Sequence, residues 1–224
     1  RAAGHRFFER ILRKDKDLAF LLSFDVNSEL LQDLTASVRL LDDGLRALQV
    51  EGGAGGITPG PVPTSGRQPG TVMYDAVYLA AKEVLAPQAG RKAVVLIGDG
   101  NDWGSKVDDK AAIEAAHRSD TAIYSIRYFD REFYYRAGGI GTGGAGALKK
   151  LSRETGGGAF EVTRKVTLDD IFDQIDAEIR NQYSLGYAPT RDLSVEGFRK
   201  IEVRVKGRGY AVQARTGYYP ESFR

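Results

Sequence analysis

The stretch Asp99-Gly100-Asn101-Asp102-Trp103-Gly104 sets acidic and amide oxygens close together, the opening of a calcium-loop pattern. Trp103 then takes a ligand position, and no Glu closes the loop where an EF-hand needs one, so that site is excluded. Gly139-Ile140-Gly141-Thr142-Gly143-Gly144 fits the spacing of a dinucleotide-binding turn. It follows a late strand rather than the first, and a lone match of this kind reads as a flexible loop. The two histidines, His5 and His117, have no evident catalytic neighbour, and His117 reads as a surface residue on a helix. Cysteine is absent, so there is neither a thiolate metal site nor a disulfide framework. No P-loop Lys-Ser/Thr pair and no nucleophile–base constellation occurs, and the chain is expected not to be an enzyme. A net charge of +2 with acids and bases interspersed argues against a nucleic-acid partner. No apolar run approaches the ~20 residues of a membrane span.

The elements that must position any site read as alternating strands and helices. Phe8, Ile11 and Leu12 mark one face of a short helix running to about Lys14. Leu18 to Phe24 is a continuous apolar run of strand length, typical of a strand buried on both faces. Glu29 to Thr35 reads as a more exposed strand, and Val38, Leu41, Leu45 and Leu48 recur at helical spacing. Gly52 to Gly70 is a long Gly/Pro loop, of a length that tends to be functional or mobile. Met73, Ala76, Val77, Ala80 and Val84 form the inner face of a helix after Thr71. Ala93 to Ile97 is a second buried strand, and Asp108 and Asp109 open the next helix. Thr121 to Phe129 is a third strand, Ala159 to Val162 a fourth. Gly138 to Gly146 leads into a helix around Leu148 and Leu151. Thr167 with Asp170 is a capping box opening a helix with the stripe Leu168, Ile171, Phe172, Ile175 and Ile179. This rhythm predicts an α/β fold, a doubly wound, mostly parallel sheet covered on both faces. After Arg180 the helices stop. Tyr183 to Tyr187, Phe198 to Lys206 and Tyr210 to Gly217 read as strands, so residues 181–224 form a small C-terminal antiparallel β appendage on an α/β domain of residues 1–180.

In order and spacing these pieces resemble the von Willebrand factor A (VWA) family over roughly Phe7 to Arg180. LAFLLSFDVNSELLQDLT looks like its second and third strands, GTVMYDAVYLA like the turn and helix carrying its metal-binding threonine. VVLIGDGND looks like the fourth strand and its metal-associated aspartate, AIYSI like the fifth, and ETGGGAFEV like the turn into the sixth. NQYSLGYAP, FRKIEVRVK and ARTGYYP resemble the tail of an exported, VWA-related acidobacterial group, which implies an exported location: periplasmic, cell-surface or secreted.

The resemblance implies a binding and adhesion module whose Mg²⁺ (or Mn²⁺ or Ca²⁺) recognises the Asp or Glu carboxylate of a protein partner, the metal-ion-dependent adhesion site (MIDAS). It assigns metal ligation to Thr71 and Asp99, with Asp102, Asp25, Asn27 and Glu29 as weaker candidates and Asp75 weaker still. The structural alternatives are an N-cap for Thr71, turn acids for Asp99 and Asp102, and a helix residue bonded to nearby backbone for Asp75. Trp103 and Asn101 would lie on the partner-binding rim. The family's Asp-x-Ser-x-Ser motif is missing. Asp25-Val26-Asn27-Ser28-Glu29 carries oxygen donors at the three matching positions, but the preceding helix places LAFLLSF second in the sheet. The expectation is that the first strand, central in this fold between the second and the fourth, lies upstream of Arg1, and that the metal site is absent or incomplete in this chain. The competing reading is a metal-independent assembly module that binds through the C-terminal appendage, with Tyr183, Tyr187, Tyr218 and Tyr219 as anchors.

Overall fold

The computed structural model describes residues 2–13, 15–48, 71–128 and 144–220. The elements run α1 (Ala2–Ile11), β1 (Ala19–Phe24), β2 (Ser28–Thr35), α2 (Val38–Ala47), α3 (Met73–Leu79), β3 (Lys92–Gly98), α4 (Asp109–Arg118), β4 (Thr121–Arg127), α5 (Gly144–Thr155), β5 (Ala159–Glu161), α6 (Leu168–Arg180), β6 (Arg199–Lys200) and β7 (Gly217–Tyr218). The loop over 52–70 and the glycine-spaced segment 139–143 lie outside the described residues.

Strands β3, β4 and β5 form a parallel sheet in that order, with Lys92 opposite Thr121 and Ser125 opposite Ala159. Alternation along β4 divides the core between two layers. Ile123 packs with Met73, Val77, Ala112, Ala116, Leu148 and Leu151 of α3, α4 and α5. Tyr124 and Ile126 pack on the other face with Phe7, Phe8, Leu41, Ile171, Phe172 and Ile175 of α1, α2 and α6. Helices on both faces of a parallel sheet make this the expected α/β architecture.

Helix starts follow their caps. Asp108 accepts the Ala111 N–H at 2.9 Å and opens α4. Thr167 and Asp170 form the reciprocal capping box of α6. The helix after Thr71 departs from the expected stripe at its far end. Met73, Ala76, Val77 and Ala80 are buried, but Ala81 and Leu85 then replace Val84 inside. Residues Ala80–Leu85 form a π-turn, whose wider winding rotates the buried face by one residue.

The C-terminal segment corrects two expectations. Of its three anticipated strands only Arg199–Lys200 and Gly217–Tyr218 pair, antiparallel to each other. The other extended stretches find no adjacent ladder among the described residues and leave Tyr183, Tyr187 and Tyr210 exposed. The paired part is anchored on the α/β layers: the Thr216 N–H donates to the Glu154 carbonyl at 3.0 Å, and Arg118 stacks on the Tyr219 ring. That cover buries His117, which is only 5% exposed and lies 5.3 Å from the Phe198 ring, so it is not a surface residue.

Strands β1 and β2 form a separate antiparallel hairpin that does not join the parallel sheet. Between β1 and β3 lies a cavity of about 390 Å³, walled by Phe20 and Leu22 on one side and Val94 and Leu96 on the other.

Candidate functional site

Three loops meet at the end of the sheet where β1 and β3 finish. The Asp25 carbonyl, just beyond β1, accepts the Val72 N–H at 2.9 Å. Thr71 and Trp103 exchange both backbone hydrogen bonds, at 2.8 and 3.2 Å, which ties the approach to α3 to the loop after β3. Tyr128, past the end of β4, donates its N–H to the Gly98 carbonyl at 3.0 Å. Crevices at the carboxyl ends of strands are where ligands collect in open α/β sheets.

Side chains then fix the loop over 99–107 against α3. Asp102 accepts the Tyr74 N–H at 3.0 Å and the Ser105 hydroxyl at 2.6 Å. Asp75 accepts the backbone N–H groups of Lys106 and Val107 at 2.9 and 3.0 Å. Both carboxylates are therefore scaffolding. Asp75 bonds backbone, as its sequence alternative held, but the backbone of a loop 31 and 32 residues on rather than its own turn. Burial, then the Asp109 and Asp102 carboxylates, push the Tyr74 phenol above its ordinary pKa, so this ring stays neutral beside the loop.

Asp99 sits at the mouth of this frame, with its carboxylate oxygens accepting the Asn101 backbone N–H at 2.9 Å and the Asn101 side-chain amide at 3.0 Å. Asn101 thus orients Asp99. Thr71 is not the N-cap of α3, since Val72 holds that position. The Thr71 hydroxyl makes no hydrogen bond among the described residues. Trp103 is 68% exposed. Asp25 and Asn27 lie in the exposed turn of the β1–β2 hairpin, where the Asp25 N–H donates to the Asn27 carbonyl at 3.1 Å. Glu29 lies farther along β2, opposite Ser23 and exposed. The Ser28 hydroxyl, at the same edge, is buried without a partner among the described residues.

One contact that sets the depth of the Asp99 loop was not read from the sequence. Gly100 has φ +84°, and a Cβ there would stand 2.2 Å from the Gly144 carbonyl oxygen. A Cβ on Gly144 would stand 2.2 Å from the carbonyl oxygen of Asp99. Two glycines far apart in sequence let the site loop and the start of α5 touch backbone to backbone. Gly-Asp-Gly at a strand end was the available signal, but its partner glycine sits in a stretch that reads as a mere flexible loop.

Thr71, Asp99, Asp25 and the orphaned Ser28 hydroxyl supply hard oxygen donors, the set that suits Mg²⁺ or Ca²⁺. Among the described residues no three acidic or histidine side chains gather closely enough to hold a metal by themselves. Oxygen donors of this kind suit a hard cation that keeps part of its shell as water.

No protein-family model matches the chain, and a search of curated proteins gives no match. Among solved structures, the conserved hypothetical protein BatB from Bacteroides thetaiotaomicron is similar in fold, with a TM-score of 0.55 at 16% identity over 80% of this chain and 84% of that one. An uncharacterized membrane spanning protein from Vibrio fischeri covers 79% of this chain and 81% of its own, at 19% identity, but its TM-score of 0.31 carries no argument. In the chain itself, no helix among the described residues is long and apolar enough to cross a membrane.

Proposed function

We propose that this chain is a VWA-type protein-binding module that engages its partner at the Thr71/Asp99 edge, assisted by a divalent cation, and that it works in an exported protein. The observation that carries the reading is the meeting of the Asp25, Thr71 and Asp99 loops at the carboxyl ends of β1 and β3. Thr71 and Asp99 would hold the ion, with Asp25, whose backbone carbonyl bonds Val72 beside Thr71, as a further candidate, and Asn101 keeps the Asp99 carboxylate turned. A bound ion supplies an open coordination position for a partner's Asp or Glu carboxylate. Asp75 and Asp102 hold the loop so that little ordering remains to be done on binding, and Trp103 offers an exposed aromatic contact on the rim.

The test is Mn²⁺ binding followed by electron paramagnetic resonance. Binding that weakens about tenfold or more in Thr71→Ala and in Asp99→Ala, a loss of about 1.4 kcal/mol or more, supports the reading. Equal Mn²⁺ binding by parent and variants removes the metal from it. A second reading, assembly through the C-terminal segment, is favoured by the exposure of Tyr183 (93%) and Tyr187 (60%). Tyr218 and Tyr219 serve it less well, since both are partly covered and Tyr219 packs on Phe198 and Arg118. Self-association or partner capture that survives Tyr183→Ser with Tyr187→Ser would dismiss it.

A further inference from the structure

We infer that the hairpin over residues 199–218 is a docking surface for an anionic lipid bilayer, at the end of the sheet opposite the Thr71/Asp99 edge. Its base is fixed by the pairing of Arg199 with Tyr218 and Lys200 with Gly217, and by the Ile201 N–H donating to the Thr216 carbonyl at 2.8 Å. The same register, continued, sets Val205 opposite Val212. The chain reverses at Gly207-Arg208-Gly209, where the two glycines take φ of +130° and +88°, a backbone that glycine adopts without strain. The hairpin is seated at the amino ends of the parallel strands. Arg215 pairs with Asp120, next to the start of β4, and the Gln213 side-chain amide donates to the Gly156 carbonyl, just before β5, at 3.3 Å. Thr71 and Asp99 stand at the carboxyl ends, so a surface docked on the hairpin leaves their edge facing away from it.

Charge and apolar exposure together select the partner. Residues 199–215 carry six basic side chains against one acid, Glu202, a net charge of +5 in a chain whose total is only +2. At the tip Val205 is 52%, Tyr210 74% and Val212 44% exposed, so the apolar side chains there cover nothing. The Tyr210 ring lies over the turn, 3.2 Å from where a Gly207 Cβ would be. Arg204 pairs with Glu202 at 2.7 Å, whereas Lys206 and Arg208, exposed beside the tip, make no ion pair among the described residues. A stable protein interface takes about 800 Å² from each partner, more than three side chains at a turn present. A bilayer asks for less. The apolar tip enters the headgroup boundary, which suits a tyrosine with an apolar ring and a polar end, and the flanking cations meet anionic headgroups. The two signals are needed together, since a small apolar anchor holds weakly and a basic patch alone is screened by salt.

The inference does not depend on the metal reading, and its test contains no metal. Co-sedimentation is measured with phosphatidylcholine vesicles and with vesicles in which about one third of the lipid is phosphatidylglycerol. The chain should bind the anionic vesicles at least about tenfold more tightly than the neutral ones. Lys206→Glu with Arg208→Glu should lose about tenfold or more of that affinity. Val205→Ser, Tyr210→Ser and Val212→Ser combined should lose as much with the charge unchanged. The chain has no cysteine, so Tyr210→Cys and Trp103→Cys each accept a single polarity-sensitive dye. On anionic vesicles the dye at position 210 should shift to the blue and the dye at position 103, on the far edge, should not. Equal binding to the two kinds of vesicle, undiminished binding by either multiple variant, or a blue shift at position 103 alone would overturn the inference. So would a chain that ignores both vesicles, and its capture on poly-glutamate beads would then make an acidic protein the partner.

Discussion

Asp75→Ala is the substitution whose consequences can be worked most fully from the geometry. The Asp75 carboxylate receives the Lys106 and Val107 N–H groups at 2.9 and 3.0 Å, and these hold the far end of the site loop against the first turn of α3. Removing it strands two donors and detaches the loop. Hydrogen bonds to a charged group contribute about 1.5–3 kcal/mol each, but this pair is half open to water, which replaces part of the loss. A cost of about 2–3 kcal/mol for the two together is expected. For a domain of this size that lowers the melting temperature by about 4–12 °C. Asp75→Asn keeps one acceptor oxygen and loses the charge, so it should fall between parent and alanine variant. If the loop is also what presents Asp99, Mn²⁺ affinity should drop with stability in the same order. A thermal melt and a Mn²⁺ titration on the three proteins decide the matter. An alanine variant melting within about 1 °C of the parent, with Mn²⁺ affinity unchanged, refutes the claim that Asp75 positions the loop.

Gly100→Ala should be severe, because its Cβ would meet the Gly144 carbonyl oxygen at 2.2 Å with φ at +84°. A fall in melting temperature larger than that of Asp75→Ala is expected, and a near-neutral result would mean that the loop and α5 do not touch. Leu151→Ala empties a fully buried position in the α3/α4/α5 layer and should cost about 2–5 kcal/mol, read by urea unfolding. Burial first, then Arg215, holds the His117 imidazole below its ordinary value of 6.5. The native chain therefore stays neutral there while the unfolded chain takes a proton, so stability is full above about 6.5 and declines as pH falls below it. Melting curves from about pH 7 to about pH 5 should show that decline in the parent and less of it in His117→Phe.

Much of the fold was legible because its signals are local. Apolar runs such as Leu18 to Phe24 and Ala93 to Ile97 mark strands, although they are not enclosed on both faces: β1 is only half-buried along its length, and Leu18 and Ile97 are exposed; Thr167 with Asp170 announces a helix start whatever packs around it. What could not be read depends on meetings across the chain. His117 looks exposed until the segment around Phe198 and Gly217 folds over α4. The C-terminal alternation at Ile201, Val203 and Val205 looks like a strand, but a strand forms only where an edge receives it, and pairing stops at Arg199–Lys200. At the site, Thr71 and Asp99 could be singled out by resemblance, whereas the roles of Asp75 and Asp102 could not. Their partners lie about 30 residues away, and an acid in the first turn of a helix has a sufficient local explanation already. The π-turn at Ala80–Leu85 has no composition signal, so Val84 rather than Leu85 was the natural choice for the inner face.

The central claim is that the Thr71/Asp99 edge receives a divalent cation. It is tested most directly by the melting temperature of the chain in Mg²⁺, in Mn²⁺ and in EDTA, beside Asp99→Ala under the same conditions. An ion at 100 times its dissociation constant adds about 2.7 kcal/mol, a rise of about 5–10 °C for a domain of this size. Metal should produce that rise, EDTA should abolish it, and Asp99→Ala should show none. A parent chain that melts at one temperature in all three solutions, or a rise that Asp99→Ala retains, would contradict it.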